Sequence, residues 1–443
     1  MKKKSFYLVS LGCAKNTVDS DSIATLLSRE GYTIVEKPSQ AEVMIVNTCG
    51  FIQPARQESI EVLTDLADHK KPGQLLIAAG CFSELYGERL AEEVNGIDGI
   101  IGTRRWMDLP DLVSSLRRNP GTPRYHLPDA PTIGRDEKGV ARVSLQGSSA
   151  YLKIADGCRR PCAYCSIPLI KGTQVSRLVE SIVHDAEILQ DNGVLELNLI
   201  AQDTTDYGSD LGMKDGLVRL LEALLPRIPR IPWLRILYAY PGYVTDSLID
   251  LMSDSQQVLP YLDMPLQHAS PEVLKSMKRP ANMEWVHSTI NRMRQRMPEL
   301  ALRTTFIVGY PGESDADFQM LVDFIKEVEF DHLGVFPFSF ESGTSSAPLG
   351  DPIPEAVKLE RVEAIMTLQE SISLKKNQKL IGKTLEVLVE GFGDGISVGR
   401  SYRDAPEIDG LVIVEDKLPV GEISRVQVTG ALKHDLLARS LPK

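Results

Sequence analysis

Apolar positions along this chain cluster with two different periods. Residues 6–12 (FYLVSLG), 43–51 (VMIVNTCGF), 74–81 (QLLIAAGC) and 99–103 (GIIGT) are short, nearly continuous apolar runs, with a weaker one at 32–35. Such runs predict strands buried on both faces. Between them, residues 18–29, 57–69 and 83–94 carry their apolar side chains at helical spacing; Ile23, Leu26 and Leu27 form one such face. Strand–helix alternation over residues 5–118 predicts an open parallel α/β sheet covered by helices on both sides.

The pattern stops at residues 119–140, which are rich in Pro, Gly and charge and read as an extended linker. From 141 the alternation returns. Strands are expected at 141–146, 151–155, 195–202, 233–240, 261–267, 302–310 and 332–340, with helices between, including 177–192 and 216–225. About six βα units suit a barrel-like parallel sheet, whose active site would gather at the carboxyl ends of the strands. A long helix over 359–379 closes that unit. Beyond 383, four short strand patterns (TLEVLVEG, ISVGRSY, LVIVE, ISRVQVTGAL) with glycine-rich turns predict a small antiparallel barrel. The expected division is 1–118, a linker at 119–140, 141–375 and 376–443.

Composition narrows the setting. The chain has 443 residues, a net charge of −11 and six cysteines. The acidic balance disfavours general binding to a phosphate backbone. Six cysteines in this length make no disulfide scaffold, which points to a reducing compartment. No apolar run reaches the ~18 residues a membrane helix needs. The N-terminal MKKK lead looks faintly like a lipoprotein signal, but Ser5 and Ser10 interrupt its apolar part, so it reads as a strand. The expectation is a soluble, cytoplasmic protein without a membrane partner.

The cysteines carry the chemistry. Cys158, Cys162 and Cys165 lie within YLKIADGCRRPCAYCSIPLIKG, on a loop after the strand at 151–155 and the turn Asp156-Gly157. Three thiols so close can face one object, and sulfur-only ligation suits zinc or an iron–sulfur cluster. Zinc in a structural site takes a fourth protein ligand; none follows at a usual spacing. Three thiolates on a four-iron cluster would leave one iron open. A disulfide-bonded or merely buried cluster is the bland alternative. Cys13, Cys49 and Cys81 each stand at or just past a predicted strand end, so an open parallel sheet would bring them to one edge. Gly12, Gly50 and Gly80 beside them lack a Cβ and would let a bulky cluster approach.

The Cys158/Cys162/Cys165 spacing, with Tyr164 before the last cysteine, resembles the signature of radical S-adenosylmethionine (SAM) enzymes. SLGCAKNTVDS, VNTCGF and AAGC resemble the N-terminal motifs of the methylthiotransferase family within that group, and the resemblance spans essentially the whole chain. It implies a partial, open (βα)6 barrel and a C-terminal TRAM domain. It also implies two [4Fe-4S] clusters, one on each cysteine triad, and SAM at the open iron. Polar strand ends suited to SAM are Gln202-Asp203-Thr204, Gln267-His268 and the Gly309 to Glu313 turn. Each taken alone reads first as an ordinary solvated loop. Arg177 could pair with the SAM carboxylate or cap a surface, and His268 reads best as a loop hydrogen-bonder. Such chemistry calls for a sulfur donor and a low-potential electron donor.

The family splits by substrate. One branch methylthiolates adenosine in tRNA; another modifies the β-carbon of an aspartate in small-subunit ribosomal protein uS12, free or in the subunit. The cluster stretch and YRDAPEIDG (402–410) resemble the second branch. Between 384 and 424 nine acidic residues face three basic ones, a balance that favours a basic partner. The tRNA alternative needs a basic track, for which Lys70-Lys71, Arg104-Arg105 and Arg117-Arg118 are the candidates. A non-catalytic iron–sulfur sensor is the reading from another class.

Overall fold

The computed structural model describes residues 4–119, 121, 123–128 and 138–441. Six parallel strands form the first sheet: β1 (Ser5–Ser10), β2 (Thr33–Ile34), β3 (Val43–Thr48), β4 (Leu75–Gly80), β5 (Gly99–Gly102) and β6 (Arg124–His126). Their order is β2-β1-β3-β4-β5-β6. β3 is buried along its whole length, as its unbroken apolar run requires. Helices Ala14–Arg29, Gln53–Asp68, Cys81–Glu93 and Leu109–Arg118 cover the two faces. The expected linker lies partly outside the described residues (120, 122, 129–137). Where it is described it is not all linker: β6 extends the sheet beside β5. Its three residues were too few, between Pro and Gly, to show a strand pattern.

The second sheet has seven strands in the order β15-β14-β13-β12-β11-β8-β7. They are β7 (Val143–Gln146), β8 (Ser149–Lys153), β11 (Glu196–Ile200), β12 (Trp233–Ile236), β13 (Val258–Asp263), β14 (Ala301–Val308) and β15 (His332–Pro337), with a small hairpin of β9 (Ala155–Asp156) and β10 (Val175–Ser176) after β8. All neighbours are parallel except β7, which runs antiparallel to β8. The six parallel strands form an open barrel. Its helix-covered side holds the largest apolar core. Its other side packs Tyr151, Trp233, Leu259 and Tyr261 against Ala14 and Val18 of the first domain and Leu388 and Ala405 of the third. The closing helix spans Glu355–Gln378, so the boundary expected at 375 falls inside it.

The third unit is a closed barrel of β16 (Thr384–Gly393), β17 (Ile396–Ser401), β18 (Val412–Val414), β20 (Leu436–Ser440) and β19 (Ile423–Ala431). β20 was not read from the sequence, because LLARS offers little alternation. It closes the barrel by pairing parallel to β18, the one parallel pair in it.

Two buried charge clusters fix the domains to one another. At the first interface Asp19 accepts from Lys153 Nζ (2.5 Å), from Lys171 Nζ (2.8 Å) and from Arg142. Asp156 shares Lys153 and Arg142. Burial alone would raise the Asp19 pKa; the three cations outweigh it and hold the carboxyl well below the usual range. At the second interface Glu196 of β11 lies between Arg235 (2.9 Å) and Arg400 of β17 (2.6 Å). Burial opposes its ionisation, yet the two guanidiniums lower its pKa to about 2. The sign follows: this stabilisation is present in full above the ordinary carboxyl pKa of about 4.3. It fades as pH falls from there toward about 2. Glu196→Gln strands the buried Arg235 guanidinium, leaves Arg400 with Glu390 alone (2.6 Å), and should lower stability by about 3–5 kcal/mol at pH 7. Wild type and variant urea midpoints should then converge as the pH is lowered through that window; a constant gap would contradict the pairing.

Candidate functional site

One cavity of ≈ 530 Å³ opens where the three units meet, and all six cysteines line it. Cys13 follows β1 and caps the helix Ala14–Arg29. Cys49 follows β3, and Cys81 follows β4 as the first residue of its helix. β1, β3 and β4 are adjacent in the sheet, so parallel geometry sets their carboxyl ends side by side. The glycines act otherwise than expected. A Cβ on Gly12 would strike Cys49, and one on Gly50 would strike the backbone of Phe82. One on Gly80 (φ +97°) would strike Asn47 and Thr48. They let the cysteine loops pack on each other rather than leaving room for an incoming group.

The second triad sits on the loop after β9. Gly157 takes φ +75° with the Thr173 carbonyl where a Cβ would stand, so the turn requires glycine. Cys158 N–H donates to Gly172 O (3.1 Å) and Ala163 N–H to Met277 O (2.9 Å), tying the loop down at both ends. Each sulfur has an N–H donor: Arg160 N to Cys158 Sγ (3.4 Å), Ile167 N to Cys165 Sγ (3.4 Å) and Arg279 Nη1 to Cys162 Sγ (3.5 Å). Burial pushes the Cys158 thiol up to about 11 and Cys165 and Cys81 up to about 12. A metal group must therefore displace their protons on binding. All six cysteines are free, with no disulfide among them. Among the described residues no three His, Cys, Asp or Glu side chains converge on a point for a single ion. A larger cluster with sulfur ligands fits the donor set.

Of the residues expected around SAM, Tyr164, Gln202 and Gln267 line the cavity. Gln267 adopts φ +76°, a left-handed backbone rare for its type. Two others sit elsewhere. Arg177 is buried, donating to Asp185 (2.7 Å) and to Lys153 O (2.9 Å), so its charge is matched inside the core. Gly309 packs against the Lys358 stem, and its N–H donates to Glu313 (2.6 Å); that turn is closed on itself. His268 Nδ1 accepts from Ser270 N–H (2.9 Å), and burial lowers its pKa to about 4. It is the loop hydrogen-bonder expected.

Sequence reasoning missed several lining residues. Arg160 pairs with Asp203 (2.6 Å) and lies over Tyr243 (3.6 Å to the ring centre). Arg279 lies over Tyr240 (4.2 Å) and donates to Pro265 O. Arg303 is held by Asp263 (3.0 Å) and by Asp409 (3.2 Å). Asp409 belongs to the loop 402–410 of the third unit, whose Ile408 reaches the cavity. Lys15 stands with its ammonium over the Tyr238 ring (3.2 Å); burial lowers its pKa, with Cys13 and Asp263 opposing. Lys15 and Arg160 had a local signal: one stands two residues after a strand-end cysteine, the other between Cys158 and Cys162.

Comparison with known proteins agrees with this architecture. Residues 5–102 match the family described as Uncharacterized protein family UPF0004, 152–325 the Radical SAM superfamily and 381–441 the TRAM domain. A methyltransferase of Kitasatospora setae, TsrM, described with cobalamin and a [4Fe-4S] cluster bound, shares the fold (TM-score 0.58). It is 16% identical, over 90% of this chain and 81% of that one. Fold and cysteine loop together define a radical SAM protein. Curated relatives narrow this further. "Ribosomal protein uS12 methylthiotransferase RimO" of Roseiflexus sp. (strain RS-1) is 43% identical over 97% of this chain and 96% of its own length. The protein of the same description from Aquifex aeolicus is 42% identical over 98% and 96%. The chain belongs to the RimO family of uS12 methylthiotransferases.

Proposed function

We infer that this protein adds a methylthio group to the β-carbon of an aspartate in ribosomal protein uS12. The observation that carries the reading is the single cavity onto which two cysteine triads from two domains open, in a chain with RimO relatives along its length. Cys158, Cys162 and Cys165 would hold the [4Fe-4S] cluster that engages SAM, and Cys13, Cys49 and Cys81 a second one. The two clusters and SAM, when bound, supply the radical that activates the carbon and the sulfur and methyl that are added. Gln202, Gln267 and Tyr164 are the lining residues we assign to SAM. The chain's own part is orientation and shelter. N–H donors aimed at Cys158, Cys162 and Cys165 favour the thiolate form and tune what it binds. Apolar lining excludes water from a reactive species.

Exposed Phe51, Ile52, Phe336 and Ile408 rim the cavity from all three units, a surface suited to an inserted polypeptide loop. Charge supports a basic protein over RNA, though less sharply than the 384–424 window suggested. Over 381–441 there are ten acidic and seven basic residues. Of the bases, Arg400 and Arg403 are buried in ion pairs with Glu196 and Asp331. Four of the six residues of the candidate basic track for tRNA are spent internally: Lys70 pairs with Asp98, Arg104 with Glu84, Arg105 with Asp108 and Arg117 with Glu42, while Lys71 and Arg118 bond only to backbone carbonyls. Among the described residues no helix is long and apolar enough to cross a membrane, and we place the protein in the cytoplasm with its substrate. A sulfur donor and a low-potential electron donor are the further partners this chemistry requires. The test is mass spectrometry of uS12 and of tRNA nucleosides from cells with and without the gene. Loss of one methylthio group from a uS12 aspartate is expected; loss from a tRNA adenosine would overturn the substrate.

A further inference from the structure

Five cationic side chains line the cavity, and four of them are engaged within the protein. Arg160 is paired with Asp203, Lys171 with Asp19 and Arg303 with Asp263. Arg279 donates to Cys162 Sγ and Pro265 O. Lys15 differs. Its side chain is buried (8% exposed), and among the described residues no carboxylate lies in ion-pair range of it and no acceptor takes its hydrogens. What holds it is the Tyr238 ring beneath, 3.2 Å from Nζ.

That ring is placed at a cost. Tyr238 adopts φ +63°, a strained backbone for a bulky residue. Thr204 Oγ1 donates to both Leu237 O and Tyr238 O and pins the turn (2.8 and 3.2 Å). A ring face attracts an ammonium without consuming its N–H donors. The ammonium is thus fixed, desolvated and left with hydrogens to give. A buried ammonium with no carboxylate in ion-pair range is stabilised by a ligand that brings one.

We propose that Lys15 binds the side-chain carboxylate of the substrate aspartate and so selects aspartate over uncharged side chains. This rests on the uS12 reading above. An aspartate β-carbon is one bond from its carboxylate, so holding that carboxylate in the chamber both triads share also places the carbon to be modified. A lysine ammonium, with three rotatable donors, suits a carboxylate whose carbon must still be reached from the side.

The test uses reconstituted full-length enzyme and two forms of uS12, one with the target aspartate and one with asparagine there. Asparagine keeps the β-carbon hydrogen and differs in charge. The readout is the ratio of kcat/KM for the two substrates within each enzyme, so damage common to both cancels. Wild type should prefer aspartate by about 30-fold or more, the usual penalty for an unpaired buried charge partner. In Lys15→Met the ratio should collapse toward one, mainly through KM for the aspartate form, and Lys15→Arg should restore part of it. A ratio unchanged in Lys15→Met overturns the proposal. So does weakened SAM binding at an unchanged ratio, which would assign Lys15 to the cofactor. Wild type that modifies no uS12 at all would instead sink the functional reading beneath it.

Discussion

Cys158→Ala should abolish SAM cleavage, whereas Cys49→Ala should retain part of that cleavage and lose the methylthio product. The two cysteines share a cavity but stand on different scaffolds. Cys158 lies on the loop after β9, where its sulfur is one of three within eight residues and receives the Arg160 N–H. Removing it takes a third of the ligands from a site that can spare none. The loss should exceed the about 10–100-fold that removing a mere supporting partner costs. Cys49 lies at the edge of the first sheet, packed against Gly12, and none of the polar contacts around Cys158, Cys162 and Cys165 involves it. Quantifying 5′-deoxyadenosine and methylthiolated uS12 in parallel separates the two effects. Normal product from Cys49→Ala would mean that Cys13, Cys49 and Cys81 do not form the second site.

Asp19→Asn should be the most destabilising single change outside the cysteines. Asp19 is 2% exposed and is the shared acceptor for Lys153, Lys171 and Arg142. Without it three buried cations face Asp156 alone. Breaking a buried ion pair from one side typically costs about 3–5 kcal/mol. Lys171 also lines the cavity, so the variant should lose activity beyond what its lower stability explains. Urea unfolding at neutral pH reads the stability directly; a loss under about 1 kcal/mol would put the network among ordinary surface pairs.

Much of this was legible in the chain. The strands of the first two sheets announced themselves because parallel strands buried on both faces must be continuously apolar. The cysteines were legible for a related reason: strand ends are the one place where residues distant in sequence, such as Cys13, Cys49 and Cys81, converge by topology alone. Less legible was what a partner elsewhere in the chain decides. Gly309 stands at a predicted strand end and Arg177 at the start of a predicted helix, yet Lys358 packs on the one and Asp185 pairs with the other. The run at 233–240 read as one strand, but β12 stops at Ile236 and the chain turns at Tyr238 to carry a ring under Lys15. No local pattern encodes that turn. Asp404 and Asp409 counted as surface charge in the sequence, whereas they are buried against Ser401 and Arg303. Net charge over a window cannot tell an acidic surface from an internal clamp.

The central claim is that two separate three-cysteine sites serve one chamber. The most direct measurement is iron content with Mössbauer spectra of anaerobically reconstituted protein, compared with two triple-alanine variants. One lacks Cys13, Cys49 and Cys81; the other lacks Cys158, Cys162 and Cys165. Wild type should hold about eight iron atoms per chain as two [4Fe-4S] clusters, and each triple variant about four. A wild-type content near four, with one triple variant unchanged, would contradict the account and leave the chamber with a single cluster.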